Sequence, residues 1–270
     1  MTTAQLNFDA APFDVLAEKY DQLFTFSRIG RAQRAATWKA MAETFRAGER
    51  VLEIGCGTGV DACFLADRGV EVLACDSSAA MIRNARLRVE ARQCKVSFRV
   101  LPAEDFDVLR SEPMFDGAVS NFGVLNCVEQ LPPVARSIGR LIKPGGKLIV
   151  CLLGPSCVWE IAWYLLKLHP RKAFRRLERG GVTAVLSRNS SVHVNYYTVR
   201  QLADLFAPEF RLRSWRGIGL LVPPSYAESI AERFPGLLSF FEWADSLMAG
   251  LPGFRDLSDH ILLHFERVSE

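Results

Sequence analysis

A chain of 270 residues with 49% hydrophobic and 23% charged side chains has an ordinary folded-protein composition, which excludes collagen-like, mucin-like and long disordered chains. The 33 basic and 30 acidic side chains leave a formal net charge of +3, so charge gives no reason to expect a nucleic-acid partner. The length is enough for one large domain, or for one domain with a substantial insertion.

The seven cysteines contain no C-x-x-C pair and no Cys/His rhythm, so neither a disulfide framework nor a metal site is expected. The segment MTTAQLNFDAAPFD lacks the basic and apolar regions of a signal peptide. Residues 148–166 are the most apolar stretch, but Gly154-Pro155-Ser156 interrupts it, which favours a buried strand and a separate helix over a membrane span. These patterns predict a cytoplasmic protein.

Residues 1–48 are predicted to form cap helices before the first strand. Two amphipathic helical patterns, at 11–26 and 31–45, are placed to cover the opening of a site. The next segment, 49–154, alternates short apolar runs with helical patterns, which is typical of a parallel sheet with crossover helices. Its strands are predicted at 51–54, 70–75, 96–101, 117–120 and 147–153, and its helices at 60–68, 78–92 and 128–141.

The pattern changes after the fifth strand. A helical insertion is predicted at 155–190, with one helix over 156–179 or two helices broken near His169-Pro170. Seven Lys/Arg and one acid lie between Lys167 and Arg188. The stretch Arg171 to Arg179 is either a solvated helical face or a lid that makes transient contact with a membrane surface or an anionic acceptor. Residues 191–270 complete the same domain, with strands predicted at 194–197, 210–215 and 260–268.

The most informative motif is VLEIGCGTG at 51–59, a strand that runs directly into a glycine-rich turn and a helix. Its glycines permit a tight turn and a close approach of the backbone to a ligand, and the helix start presents N–H groups to an anion. A nicotinamide fingerprint would need glycine at position 60, which is Val60. Asp76 ends the second strand, where a carboxylate can bind both hydroxyls of an adenosine ribose or act as a helix cap. Together the two motifs favour an adenosine ligand.

VLEIGCGTG followed by CDSSAAMI resembles the glycine-rich and acidic motifs of class I S-adenosylmethionine-dependent methyltransferases, in the style of the small-molecule enzymes of ubiquinone and menaquinone biosynthesis. The segments PAEDF (102–106), FDGAVSNFG (115–123) and LIKPGGK (141–147), with the pair Tyr20-Asp21, extend the resemblance over about residues 10–153. It implies an α/β Rossmann-like three-layer sandwich, a mostly parallel seven-stranded sheet with an antiparallel last hairpin, and S-adenosylmethionine as the cofactor.

The resemblance also implies which residues hold that cofactor. Glu53 would orient the glycine turn, Asp76 would bind the ribose, Met81 would pack near the adenine, and Phe122 would line the passage to the acceptor. Pro102 stands where the family often has an acidic residue. The full implied set is Tyr20, Glu53, Gly55, Cys56, Gly57, Gly59, Asp76, Ser77, Met81, Ala103, Glu104, Asn121 and Phe122.

Methyl transfer to a hydroxyl or a protonated amine also needs a base. His193 is the candidate by residue type, with a strand-surface role as the alternative, and Tyr197 is a second candidate for the acceptor side. Ser120-Asn121-Phe122-Gly123 differs from the Asn/Asp-Pro-Pro-aromatic motif of enzymes that methylate nucleobase amines. Four tryptophans after residue 155 suit an apolar pocket, so we predict a small hydrophobic or amphipathic acceptor. A non-catalytic cofactor-binding module and a nicotinamide oxidoreductase are the alternatives.

Overall fold

The computed structural model describes residues 11–92 and 95–269. The strands are β1 (Arg50–Ile54), β2 (Glu71–Asp76), β3 (Val96–Val100), β4 (Phe115–Ser120), β5 (Ile142–Leu153), β6 (Val182–Ser187), β7 (Ser190–Val194), β8 (Phe210–Ile218) and β9 (His260–Arg267). The α-helices are α1 (Arg28–Thr44), α2 (Val60–Ala66), α3 (Ala79–Arg92), α4 (Leu131–Leu141), α5 (Val158–Leu166), α6 (Pro170–Ala173), α7 (Val199–Phe206), α8 (Glu228–Arg233) and α9 (Pro235–Met248). Within these ranges, no helix is long and apolar enough to cross a bilayer.

One seven-stranded sheet organises the molecule, in the order β3-β2-β1-β4-β5-β9-β8. Strands β1 to β5 are parallel to one another, and β9 is antiparallel to both β5 and β8. This confirms the predicted Rossmann-like α/β sheet and its antiparallel last hairpin. The strand order reverses between β1 and β4, and open α/β sheets bind ligands at such a switch point, beyond the carboxyl ends of the strands.

Apolar side chains cover both faces of the sheet, because successive strand residues point to opposite sides. In β1, Leu52 and Ile54 pack into a core that includes Phe106 and Phe115, whereas Val51 packs into a second core with Phe64. The helices therefore lie on both sides of a buried sheet. The five strands and three helices predicted for 49–154 are confirmed, with shifts of a few residues at their ends.

The predicted single helix over 11–26 is wrong. The segment forms one 3-10 turn at Pro12–Leu16 and one π turn at Asp21–Thr25. The Asp14 carboxylate accepts hydrogen bonds from the Ser78 hydroxyl and from the backbone N–H of Ala80. These contacts fix the segment against the start of α3. The segment therefore does not form the continuous helix that its local pattern predicts.

The segment between β5 and α7 contains more than the predicted helices. The predicted break at His169-Pro170 is confirmed, since Pro170 begins α6. A two-stranded hairpin, β6 with β7, follows, and the predicted strand over 194–197 is wrong because β7 ends at Val194. The Asn195 N–H donates to the Asn126 carbonyl at 2.7 Å instead of to the neighbouring strand, and the hairpin pairing therefore ends before this residue. The division of the chain at residues 48, 154 and 190 stays a prediction.

Candidate active site

A cavity of about 570 Å³ lies at the carboxyl ends of β1, β2 and β4, at the switch point of the sheet. Gly57 and Asp76 line one part of it, and Arg176 and His260 line another. Its volume is within the range that holds a small molecule or cofactor. The cavity therefore joins the motif that resembles a cofactor site to a group of buried ionisable residues.

The glycine turn leaves room for a ligand at Gly57. The backbone there is left-handed, with φ of +53°, and a Cβ atom would meet no protein atom closer than the Tyr20 ring at 4.0 Å. At Gly55, by contrast, a Cβ atom would lie 2.3 Å from Cγ1 of Val124. Gly55 is thus needed for packing inside the protein, whereas Gly57 is open to the cavity. The space above Gly57 fits a cofactor that approaches the backbone closely.

Asp76 connects the glycine turn to the start of α3. One carboxylate oxygen accepts from the Gly57 N–H and the other from the Ser78 N–H, each at 2.8 Å. Burial raises the pKa of Asp76, and these two hydrogen bonds oppose the rise. A carboxylate has about four acceptor sites, so two remain for a ligand. Asp76 therefore fits both predicted roles, that of a cap and that of a ribose acceptor.

Replacing Asp76 with alanine is expected to weaken the binding of S-adenosylhomocysteine by about 1.5–3 kcal/mol, because charge-assisted hydrogen bonds are lost. Isothermal titration calorimetry measures this change. Asp116→Ala is the matched control, since Asp116 at the start of β4 accepts from the Arg50 N–H and does not line the cavity. Equal affinities for wild type and Asp76→Ala would remove Asp76 from the site.

Gly57→Ala tests the space above the turn. The added methyl group meets no protein atom, so the cost to folding is limited to the left-handed backbone, about 1–2 kcal/mol. The loss of binding free energy for the cofactor would be larger, because the added methyl group fills space that the cofactor needs. We expect a folded protein with a circular dichroism spectrum like wild type and at least about tenfold weaker cofactor binding. Unchanged affinity would show that no ligand approaches this turn.

The segment before α1 covers the cofactor part of the cavity. Tyr20 lines the cavity, and the carboxylate of its neighbour Asp21 accepts from the Thr58 hydroxyl at 2.7 Å. Arg88 of α3 pairs with the same carboxylate and donates to the Thr58 carbonyl at 2.8 Å. The pair Tyr20-Asp21 is thus fixed to the glycine turn, in agreement with its place in the motif.

Asn121 is held by a buried polar network at the end of β4. Its amide group donates to Asp61 at 2.8 Å and to the Thr37 hydroxyl at 3.1 Å. Asp61 also pairs with Arg34 at 2.6 Å and accepts from the Trp38 indole N–H at 2.6 Å. Asp61 thus receives hydrogen bonds from three side chains, and a buried network of this kind holds its members in fixed positions. It fixes the strand end from which Phe122 projects.

Phe122 is the central aromatic residue of the cavity. Its backbone is left-handed, with φ of +52°, which is unusual for a residue other than glycine and is typical of functional sites. The ring contacts Phe24 at 4.9 Å and the His260 imidazole at 5.4 Å, measured between ring centroids. The Arg34 guanidinium lies 4.9 Å from the same ring. Phe122 thus lies between the N-terminal cover and the ionisable residues.

Four ionisable side chains form a buried cluster on the far side of Phe122: Glu160, Arg176, Asp259 and His260. Arg176 donates to a Glu160 oxygen at 2.9 Å and to an Asp259 oxygen at 2.7 Å. It also donates to the backbone carbonyls of Gly154 and Asp259. Although burial alone would raise the pKa of Asp259, the neighbouring His260 and Arg176 hold it below its ordinary value.

His260 lies at the end of this chain of contacts and lines the cavity. Its Nδ1 atom is enclosed and lies 3.3 Å from an Asp259 oxygen, without the geometry of a full hydrogen bond. The Nε2 edge is therefore the one that a bound molecule can reach. Burial lowers the pKa of His260 below its ordinary value of about 6.5. The imidazole is thus neutral at pH 7 and able to accept a proton.

The cavity brings together most of the residues that the sequence implied. Those that line it are Tyr20, Gly55, Cys56, Gly57, Asp76, Ser77, Met81, Ala103, Glu104, Asn121 and Phe122. Glu53 and Gly59 do not. Glu53 is buried within the structure, with one carboxylate oxygen that has no hydrogen-bond partner among the described residues, and burial raises its pKa. A Cβ atom at Gly59 would lie 2.9 Å from that of Ala85, so this glycine is required by packing.

The two predicted catalytic side chains lie outside the cavity. His193 is exposed on β7, while its neighbours Val192 and Val194 line the cavity from the opposite face of that strand. Tyr197 packs against the hydrophobic core beside the sheet. The structure therefore brings His260, and neither of these two, to the acceptor part of the cavity.

Sequence reasoning missed the cluster because its members are distant in the chain and form no spaced motif. The antiparallel direction of β9 could have indicated His260. A strand that runs against its parallel neighbours begins at their carboxyl edge, and His260 pairs with Leu153, which lines the cavity. Polar residues at the start of such a strand are candidates for a site.

Comparison with known proteins agrees with this geometry. A family model described as a methyltransferase domain matches residues 51–146. The demethylmenaquinone methyltransferase of Clavibacter sepedonicus is 34% identical over 144 residues, which are 53% of this chain and 56% of that protein. The corresponding protein of Mycobacterium marinum is 31% identical over 185 residues, 64% of this chain and 74% of that protein. The CcbJ methyltransferase of Streptomyces caelestis aligns over 96% of this chain and 99% of its own with a TM-score of 0.63 at 17% identity, a likeness of fold.

The sheet order, the glycine turn and the carboxylate after β2 define the fold of a class I methyltransferase. The chain belongs to the family of class I S-adenosylmethionine-dependent methyltransferases, and S-adenosylmethionine is the cofactor of that family. It spans 56% of the length of the C. sepedonicus relative.

Proposed function

We propose that this protein transfers the methyl group of S-adenosylmethionine to oxygen or nitrogen of a small, apolar organic acceptor. One observation carries the proposal: a continuous cavity joins the Gly57 turn and Asp76 to the buried pair Asp259 and His260. A cofactor-binding motif and a neutral base in the same cavity are what this reaction requires.

S-adenosylmethionine supplies an activated methyl group on a positively charged sulfur. The residues that would hold it are Asp76 at the ribose, the backbone at Gly57, and Met81 and Ala103 beside the adenine. Tyr20 covers this part of the cavity and helps to exclude water. Exclusion of water and fixed orientation are the main contributions that a protein makes to such a transfer.

The acceptor part of the cavity favours an apolar ring. Phe13, Val128, Leu153 and Leu186 contribute to its walls, and the polar groups are concentrated at the cluster around His260. A few polar groups in an apolar wall orient a ligand and select it. The names of the curated relatives point to a quinone-type ring, and one of them, from Alkalilimnicola ehrlichii, is a ubiquinone biosynthesis O-methyltransferase. We propose a hydroxylated aromatic acceptor of the quinol type, methylated at oxygen, with an amine as the alternative nucleophile.

In this proposal His260 is the general base. Its neutral imidazole accepts the proton of the acceptor hydroxyl at Nε2, and the positive charge that develops is stabilised by the carboxylate of Asp259 beside Nδ1. Arg176 holds that carboxylate in place, and Glu160 in turn holds Arg176. Asp259, Arg176 and Glu160 are thus positioning residues, and His260 touches the acceptor.

Three measurements test the proposed function in sequence. Calorimetry with S-adenosylhomocysteine is expected to give saturable 1:1 binding, and a panel of hydroxylated quinols and naphthols is expected to give S-adenosylhomocysteine formation with at least one member. Mass spectrometry of the product locates the new methyl group. Binding without turnover on oxygen, nitrogen, thiol or ring-carbon acceptors would favour a non-catalytic cofactor-binding module. Affinity for NAD(H) without affinity for S-adenosylhomocysteine would favour an oxidoreductase.

We also propose that the protein works in the reducing cytosol. Cys75, Cys151 and Cys157 are buried thiols without disulfide partners, and burial raises the pKa of each to about 12. Such thiols behave as small apolar residues and are chemically unreactive. Cell fractionation with an antibody against the protein tests the location.

A further inference from the structure

An exposed apolar and cationic surface lies at the end of α5. We call it the tip surface and define it by six residues: Leu165, Leu166, Lys167, Leu168, Arg171 and Lys172. Leu166 and Leu168 are 84% and 86% exposed. Single exposed leucines are common, but two nearly fully exposed leucines beside a third that is 43% exposed, Leu165, indicate a surface that is covered by something else.

The backbone holds this surface in a fixed form. The Leu168 N–H donates to the Leu165 carbonyl at 3.0 Å and the His169 N–H donates to the Tyr164 carbonyl at 2.8 Å, which is the bond pattern of a Schellman motif. The left-handed position of this motif normally holds glycine, but here it is Leu168, with φ of +57°. A leucine at that position costs about 1–2 kcal/mol, and its side chain gains no packing in return. The stability of the fold therefore does not explain why position 168 is a leucine.

The cations of the tip surface have no acidic partners within residues 11–92 and 95–269. Lys167 lies between the two most exposed leucines, and its ammonium is 4.2 Å from the centre of the Trp163 ring. Lys167, Arg171 and Lys172 form no ion pair in the part of the chain that the structure describes, and Glu178 is the only acid between residues 167 and 188. The surface therefore combines apolar side chains with uncompensated positive charge.

We propose that the tip surface binds the face of a lipid bilayer that contains anionic lipids. Leucines that insert below the headgroups and lysines that pair with lipid phosphates are the combination found in interfacial membrane anchors. Trp163 suits the same depth, because tryptophan prefers the boundary between lipid and water. A protein partner fits less well, since the centres of protein interfaces are depleted in lysine.

The residues that follow the tip surface in the chain form part of the cavity wall. Arg175, which follows α6, lines the cavity, and so do Ala184 and Leu186 of β6. Val185 between them points outwards and is 77% exposed. One side of this segment therefore faces the cavity and the other faces the surroundings. The membrane proposal concerns the surface alone and holds whichever acceptor the cavity takes.

Sedimentation with vesicles tests the proposal on the full chain. Vesicles of phosphatidylcholine with about 30 mol% phosphatidylglycerol are expected to bind the protein, and binding is expected to fall in high salt and with phosphatidylcholine alone. L166S/L168S and K167Q/K172Q are each expected to lower the partition coefficient by about tenfold. The matched controls are V108S, which also alters an exposed apolar residue, and K39Q/K95Q, which removes the same charge elsewhere; both are expected to bind like wild type.

Two results would overturn the proposal. The first is a wild-type protein that does not bind the anionic vesicles; if L166S/L168S then also changes oligomeric state in size exclusion, the surface is assigned to a protein contact. The second is an equal loss of binding in the control variants. S-adenosylhomocysteine binding by each variant verifies that it is folded. Vesicle binding and methyl transfer are separate measurements, so one can fail without the other.

Discussion

Replacing His260 with alanine is expected to lower kcat for methyl transfer by about 10²- to 10⁴-fold, because the acceptor loses its general base. The affinity for S-adenosylhomocysteine is expected to stay within about twofold of wild type, since the cofactor part of the cavity lies beyond Phe122. Steady-state kinetics with a saturating acceptor and calorimetry of cofactor binding measure the two effects. A loss confined to kcat distinguishes a base from a residue that only maintains the fold.

His193→Ala is the matched control for that experiment. His193 is exposed on β7 and does not line the cavity, so its removal is expected to leave kcat unchanged. The opposite outcome, with an active His260→Ala and an inactive His193→Ala, would restore the interpretation that the sequence alone suggested. It would also show that the hairpin moves before the reaction.

The pH dependence of kcat follows from the same group. Burial lowers the pKa of His260, and the nearby Asp259 partly opposes this. A base is active when deprotonated, so kcat is expected to rise with pH and to reach its plateau with a midpoint below about 6.5. Asp259→Asn removes the opposing charge and is expected to shift the midpoint further towards acid, with a lower plateau. A midpoint well above 6.5 would contradict a buried imidazole as the base.

Arg176→Ala is expected to lower the free energy of unfolding by about 3–5 kcal/mol, because the buried Asp259 loses its arginine partner and Glu160 keeps only Arg175. Both carboxylates are nearly inaccessible to solvent, and nearby charge raises the pKa of the arginine itself. Urea unfolding followed by fluorescence measures the change as a shift of the midpoint at constant m-value. The variant is also expected to lose activity, since Asp259 loses its fixed position.

The comparison for Arg176 is Arg110→Ala. Arg110 pairs with Asp107 at 2.8 Å, but both side chains are more than half exposed, and such pairs contribute about 0–1 kcal/mol. The difference between the two variants isolates the effect of burial. A loss of less than 1 kcal/mol in Arg176→Ala would mean that water reaches Glu160 and Asp259, and the rigid support that we assign to His260 would then be absent.

The sheet was predictable because its strands are encoded locally. Each parallel strand is a short apolar run bounded by turn residues, and the position of Asp76 at the end of β2 follows from that pattern. The segment 11–26 was not predictable, since its form depends on the contacts of Asp14 with α3, far along the chain. The hairpin β6–β7 was missed for a different reason. Its strands have only six and five residues, which is too short for a clear alternating pattern.

The cofactor part and the acceptor part of the cavity also differ in how far the sequence predicts them. The cofactor part is built from consecutive residues, so the motif at 51–59 and Asp76 could be recognised together. The acceptor part is assembled from Glu160 and Arg176 in the insertion and from Asp259 and His260 at the other end of the chain. No spacing in the sequence links these four residues. Residue type and a place just before Tyr196-Tyr197 therefore selected His193, whose side chain lies on the face of β7 that points away from the cavity.

Calorimetry of the wild-type protein with S-adenosylhomocysteine tests the central claim most directly, since every role assigned above depends on a cofactor held between Gly57 and Asp76. The expected result is saturable binding of one molecule per chain, weakened in Asp76→Ala and retained in His260→Ala. A titration to millimolar concentration without measurable heat, confirmed by an unchanged melting temperature, would contradict the account.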